Sequence, residues 1–259
     1  MFPVLLKYGP IHIFTYGLFL ALAFLSAIYL GGREAERQGL PVGRFYDMCF
    51  YAVLGALVGS RLLYVFLELP AFLAHPLKIF AIWEGGLVFH GGLVGALGAA
   101  FYYLRRHAIP WRQAFDALAV GMPVGQALGR VGCFMAGCCY GAPSNLPWAV
   151  IFTNPETLCP LREPLHPSQL YEALLLLGVF GILYALRTRK RFQGQMMLTY
   201  FCLAGLVRFV TEFVRNPGDY RGPIIWADMP LTQVVALGIA VLGGALLWWF
   251  WRKSSQAKA

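Results

Sequence analysis

The segment AFDALAVGMPVGQALGRVGCFMAGC, Ala114 to Cys138, sets the terms for the whole chain. It is long enough to cross a bilayer as a helix, which takes about 20 residues at a rise of about 1.5 Å each. Its only charged residues are Asp116, near one end, and Arg130, well inside. Gly121, Gly125 and Gly129 recur at every fourth position, a spacing that lets helix backbones approach closely in lipid. An arginine in such a stretch costs about 2.5–3.5 kcal/mol near the bilayer centre, so it calls for an anion or a polar cavity.

Working outward, six more apolar stretches flank this one. Together they span about 11–31, 46–69, 86–104, 114–138, 167–186, 194–214 and 230–251. Only 13% of the residues are charged, roughly half the share usual in a soluble domain. The first stretch lacks the charged n-region and small-residue cleavage site of a removable signal peptide. The expected fold is an all-α polytopic membrane protein, with residues 1–259 forming one integral membrane domain of seven transmembrane helices.

The formal charge of +9 suggests nucleic acid only until the basic residues are placed. Arg33, Arg37 and Arg44 follow the first stretch, and Arg105, Arg106 and Arg112 the third. Arg187, Arg189, Lys190 and Arg191 follow the fifth, and Arg252, Lys253 and Lys258 end the chain. Lys7, Lys78, Arg162, Arg215 and Arg221 lie on the other side. The positive-inside bias therefore predicts an N-terminus outside and a C-terminus in the cytoplasm, with no nucleic-acid partner. Arg61, Arg130 and Arg208 remain, all within apolar stretches.

With that topology, Arg61, His90, Arg130 and Arg208 come from four helices and share the outer leaflet. A planar guanidinium fork matches phosphate, and a phospholipid head group is the anion available at that depth. Glu212 stands one turn after Arg208, at the spacing of a helical ion pair. His90 lies in WEGGLVFHGGLVG, Trp83 to Gly95, where Gly91 and Gly92 are read as giving a substrate room beside an imidazole suited to general-base work. HPSQLYEA, His166 to Ala173, opens the fifth helix and puts His166, Ser168, Gln169, Tyr171 and Glu172 at the membrane edge. Between Cys139 and His166, four prolines, the Asn145 turn and Trp148 predict an ordered or semi-ordered loop rather than a helix.

Cys133, Cys138 and Cys139 follow a C-x4-C-C spacing that matches no zinc motif, and no C-x-x-C redox pair is present. No metal is expected. The reading favours a structural role, with a disulfide from Cys138 or Cys139 to Cys159, and with Cys49 and Cys202 as small apolar fillers.

Assembled, these residues resemble the phosphatidylglycerol–prolipoprotein diacylglyceryl transferase family. The likeness rests on Tyr16-Gly17, GSRLLYV (Gly59 to Val65), WEGGLVFHGGLVG, the GR-x-G-x-F run from Gly129, HPSQLYE, and RFVTEFVRNP (Arg208 to Pro217). It implies transfer of diacylglycerol from phosphatidylglycerol to the lipobox cysteine thiol in the signal-peptide region of a prolipoprotein. It implies no cofactor, and a bacterial plasma (inner) membrane location among membrane lipids, with the active site facing the periplasmic or outer leaflet. By resemblance, Arg130 and Arg208 are the essential arginines, His90 the base and Tyr16 the conserved tyrosine. Tyr16, Arg61, Glu212, His166, Ser168 and Gln169 join the two arginines in binding substrate. Where the family carries Asn, Asn and Glu after its Gly-Arg pair, this chain has Cys133, Ala136 and Cys138; a tyrosine common before the last arginine is replaced by Ala204.

Three other readings compete. They are a related phospholipid-using transferase with a different acceptor, a lipid or organic-anion transporter, and a membrane thiol oxidoreductase. A transporter usually shows repeated halves or paired broken helices, and none is visible in the sequence.

Overall fold

The computed structural model describes residues 2–8, 11–81, 83, 85–216, 224–226 and 229–256. Glu84, Pro217, Arg221 and Lys258, which entered the motif and charge readings, lie outside the described residues. A hairpin, β1 (Val4–Tyr8) with β2 (Ile11–Phe14), leads into α1 (Thr15–Arg37). There follow α2 (Val42–Leu67), the short α3 (Leu69–Ala74), a 3-10 turn over Pro76–Phe80, α4 (Phe89–Arg106) and α5 (Trp111–Ala136). The second half holds β3 (Val150–Ile151), β4 (Pro164–Leu165), α6 (Ser168–Leu186) and α7 (Gln195–Thr211) with a 3-10 turn over Glu212–Val214. The strands β5 (Ile224–Trp226) and β6 (Met229–Pro230) then precede α8 (Leu231–Gln256).

Helices thus occupy all seven places that the apolar stretches mark. Six of them, α1, α2, α5, α6, α8 and α7 with its 3-10 turn, are long and apolar enough to cross a membrane. The remaining helix, α4, has 18 residues and carries His90 near one end and Arg105 and Arg106 at the other. One boundary needs correction: residues 11–14, read as helix, are strand. The β-branched Ile13 suits that pairing, and α1 begins only at Thr15, whose backbone N–H donates to the Pro3 carbonyl.

The chain divides into two compact units, Ala35–Ala114 on one hand and Met1–Glu34 with Phe115–Ala259 on the other. Within the first unit, α2 and α4 pack backbone to backbone. A Cβ at Gly59 would overlap the Gly91 carbonyl oxygen, and one at Gly95 would overlap that of Gly55. This is the small-residue packing expected in lipid, where helices gain little from hydrophobic burial against one another. Gly91 packs on α2, as its four-residue spacing with Gly95 suggests, so its missing side chain serves the helix pair beside His90.

In the second unit, α1 meets α5 through Ala23 and Ala27 against Gly125 and Gly121, whereas Gly129 has open space. A core forms where Val120 and Ala127 of α5 meet Leu176, Val179 and Leu183 of α6 and Met196, Tyr200 and Val207 of α7. The fully buried Asp116 organises the start of α7. It accepts hydrogen bonds from the Gly194 and Met197 N–H groups at 2.8 and 3.1 Å and pairs with Lys190 at 3.5 Å. It thereby satisfies donors that a helix start otherwise leaves orphaned. The connection after α5 forms no helix over 139–166, and in it β3 pairs with β4 over a small core of Phe152, Cys159 and Leu165.

Candidate active site

The geometry begins with how α5 ends. Gly137 adopts φ 75°, its N–H donates to the Phe134 carbonyl, and the Cys138 N–H donates to the Cys133 carbonyl. These two bonds form a Schellman end, in which the third helical residue from the C-terminus meets the second residue beyond the cap. Here those residues are Cys133 and Cys138, so the motif's usual apolar contact becomes a pair of thiols. Cys139 then turns back with φ 59°, left-handed for a residue with a Cβ, and the three sulfurs lie within 4.8 Å of one another. The Cys138 thiol donates to the Cys133 carbonyl at 3.7 Å, and Arg215 and Arg130 lie within electrostatic reach of Cys139.

The turn is held from two sides. Ser168 Oγ donates to the Cys139 carbonyl at 3.0 Å, and Gln169 Nε2 donates to the Cys138 carbonyl at 2.7 Å. From the other side, the Ala142 N–H donates to the Val214 carbonyl and the Asn216 N–H to the Tyr140 carbonyl. This stitching brings the segment after α7, including Arg215, to the end of α5. All six cysteines are free thiols. Cys159 sits in the loop core rather than in the three-sulfur group, so the expected pairing with Cys138 or Cys139 is not formed.

Beside the thiols, Arg130 and Arg208 meet on one carboxylate. Arg130 Nη2 lies 3.0 Å from Glu172 Oε1, and Arg208 Nη1 lies 3.6 Å from Glu172 Oε2. Arg208 Nη2 also pairs with Glu212 at 2.8 Å, one turn on, and Glu212 accepts from Thr232 Oγ1 at 3.1 Å. Both carboxylates are buried, while each arginine side chain keeps about a fifth or more of its surface exposed, at 22% and 24%. Two cations and two anions balance here, and Arg215 lies close enough to add a further positive charge. Such a site can exchange a carboxylate contact for a phosphate without creating a bare buried charge.

Tyr16, in the first turn of α1, reaches the same place: a Cβ at Gly132 would stand 3.4 Å from its ring, and its hydroxyl lies within the electrostatic reach of Arg130 and the three thiols. His166 Nδ1 lies 3.3 Å from the Tyr171 hydroxyl, which also accepts from Trp148 Nε1 at 2.7 Å. Ser168 and Gln169 were expected to bind substrate; in the structure their side chains donate to backbone carbonyls and position the cysteine turn.

Arg61 and His90 belong to the other unit. Arg61 donates through Nε to Ile79 at 2.9 Å, through Nη1 to Gly85 and Gly86 at 2.6 and 3.3 Å, and through Nη2 to Lys78 at 2.5 Å, all carbonyls. The guanidinium also lies over Tyr64 and Phe72. That is the geometry of a clamp on the segment between α3 and α4. His90 is exposed in the first turn of α4, edge-on to Phe89.

Three features of the site emerge only in the fold. Glu172 was noted only as a polar group of HPSQLYE, although its place near the start of α6 makes it the joint between the arginines. Arg215 was counted as a surface charge. The linear spacing of the cysteines favours a structural role, whereas Gly137 directly after the helix is the signal that C-x4-C closes in space.

The family model described as prolipoprotein diacylglyceryl transferase matches residues 3–249. Proteins named phosphatidylglycerol–prolipoprotein diacylglyceryl transferase are similar along nearly their whole length. That of Pseudomonas fluorescens is 35% identical over 99% of this chain and 96% of its own. Those of Geobacter sulfurreducens and Bordetella avium are 38% and 37% identical, over 93% and 95% of this chain and 92% of their own. The chain belongs to the prolipoprotein diacylglyceryl transferase family.

Proposed function

We propose that this protein transfers the diacylglyceryl group of phosphatidylglycerol to the lipobox cysteine of a prolipoprotein. The thiol gives its proton to a general base, the role that resemblance assigns to His90, because the thiolate is the nucleophile. The sulfur forms a bond to the terminal glyceryl carbon, the bond from that carbon to the phosphate oxygen breaks, and the electron pair leaves on glycerol phosphate. Arg130 and Arg208 receive the phosphate where charge develops on the leaving oxygen, which is where preorganised donors act most strongly. Tyr16, beside Arg130, lines the same place.

The observation that carries this reading is the anchoring of Arg130 and Arg208 on the single carboxylate of Glu172, which presents two guanidiniums to one anion. In the membrane, all seven long helices including α4 cross. The N-terminus lies outside, the C-terminus lies in the cytoplasm, and the arginines face the periplasmic leaflet of the bacterial inner membrane. The crowding of basic residues into alternate connections supports that orientation.

The test offers purified protein labelled phosphatidylglycerol in vesicles together with a lipobox peptide, and reads mass gain on the peptide cysteine. Arg130→Ala and Arg208→Ala should each lower kcat/KM by about 10²–10³. His90→Ala should lower it by about 10²–10⁴, the range of a lost general base. Lipid consumed beside an unmodified peptide would overturn the acceptor, and untouched lipid would overturn the activity.

A further inference from the structure

We propose that Cys133, Cys138 and Cys139 form a three-thiolate site for a zinc ion whose fourth position takes the acceptor thiol. The inference rests on the transferase reading for the identity of that fourth ligand, and on geometry for the site itself. The three sulfurs lie within 4.8 Å of one another. Zinc–sulfur bonds of about 2.3 Å in a tetrahedron place sulfurs about 3.8 Å apart, so closure takes a movement of about 1 Å. The Schellman end of α5 and the left-handed Cys139 preset that convergence, because two of the ligands come from one backbone motif and the third from the next residue.

The donor set is soft and selects a d10 cation. Among the described residues, no histidine or carboxylate joins the group, which leaves a tetrahedral ion with one open position, the arrangement of a catalytic rather than a structural zinc. Three thiolates and a dication carry one net negative charge, and the nearby Arg130 and Arg215 offset it. A second observation points to a ligand at this place. Gln169, 1% exposed, donates its amide to the Cys138 carbonyl, while its Oε1 has no hydrogen-bond partner among the described residues. A buried acceptor without a donor is costly, and it fits a donor that arrives with the incoming peptide.

The chemistry deepens the proposed reaction. The acceptor thiol loses its proton on binding zinc, since a coordinated thiol is deprotonated outright, and the general base of the proposed reaction takes that proton. The zinc-bound sulfur then forms the bond to the glyceryl carbon as glycerol phosphate leaves with the electron pair. The thioether product, a weaker ligand, departs, and the ion stays on its three cysteines. No oxidant or reductant enters.

The test uses reduced, full-length protein in lipid nanodiscs. Bound zinc is measured by mass spectrometry, and cobalt is then exchanged in to read sulfur-to-cobalt charge-transfer bands with a lipobox peptide and with its cysteine-to-serine counterpart. The expected result is about one metal per chain, with affinity at least ~10-fold lower in Cys133→Ser, Cys138→Ser and Cys139→Ser and unchanged in Cys202→Ala. The bands should intensify with the cysteine peptide alone. Wild-type protein holding no more metal than the triple serine variant would overturn the site, and equal transfer by metal-free and zinc-loaded protein would overturn the ion's part in the reaction, leaving the transferase reading intact. Identical spectra with both peptides would overturn the fourth ligand. Metal and peptide thiol bound together, without transfer from phosphatidylglycerol, would uphold the site while the transferase reading fails.

Discussion

Glu172 holds two guanidiniums with one carboxylate, so its charge sets how Arg130 and Arg208 wait for an anion. Glu172→Gln keeps the shape and removes the charge. Losing a charge-assisted contact of about 1.5–3 kcal/mol predicts kcat down by about 10–100-fold. KM for phosphatidylglycerol should not rise, because the carboxylate no longer competes with phosphate. Steady-state kinetics on vesicles of varied phosphatidylglycerol content separates the two constants, and a raised KM with unchanged kcat would contradict the bridging role. Arg61 presents the contrasting case, since its donors are occupied by backbone carbonyls. Arg61→Ala should lower the melting temperature and expose the segment between α3 and α4 to limited proteolysis, a change that wild-type lipid binding would not mimic. Sequence alone placed all three arginines in apolar stretches and could not separate these roles, because the partners are carbonyls and a carboxylate distant along the chain.

At the scale of elements, the prediction concerns glycines that look alike in sequence. Gly59 on α2 meets backbone, whereas Gly98 on α4 has nothing within 4 Å. Gly59→Leu should therefore separate the helix pair and destabilise by about 1–3 kcal/mol or more. Gly98→Ala should be neutral or stabilise by up to about 1 kcal/mol through helix propensity. Thermal melts in detergent compare them directly, and equal effects would remove the packing argument. A second element-level prediction is that Asp116→Asn costs about 1–3 kcal/mol by weakening the start of α7 and its contact with Lys190. Activity per folded molecule should survive. The seven helices were legible as apolar lengths, since a bilayer sets how long an apolar run must be. The strand at 11–14 was not, because a short apolar run reads alike as helix or strand until its partner is known.

For the molecule as a whole, the charge distribution predicts orientation. Green fluorescent protein fused after Ala108 or after Gln256 should fluoresce in the cytoplasm, and a fusion after Asn145 should stay dark. A bright Asn145 fusion would reverse the topology, and a dark Ala108 fusion would remove α4 from the spans. By itself, the sequence determined the membrane class, the places of the helices and the arginines that mark a polar site, because each is a local property of composition and spacing. Tertiary structure alone decided that Glu172 joins Arg130 to Arg208, that Arg61 clamps a loop, and that three thiols converge at the end of α5. Those facts depend on which side chains meet after the chain has turned back on itself, and linear spacing carries no record of that.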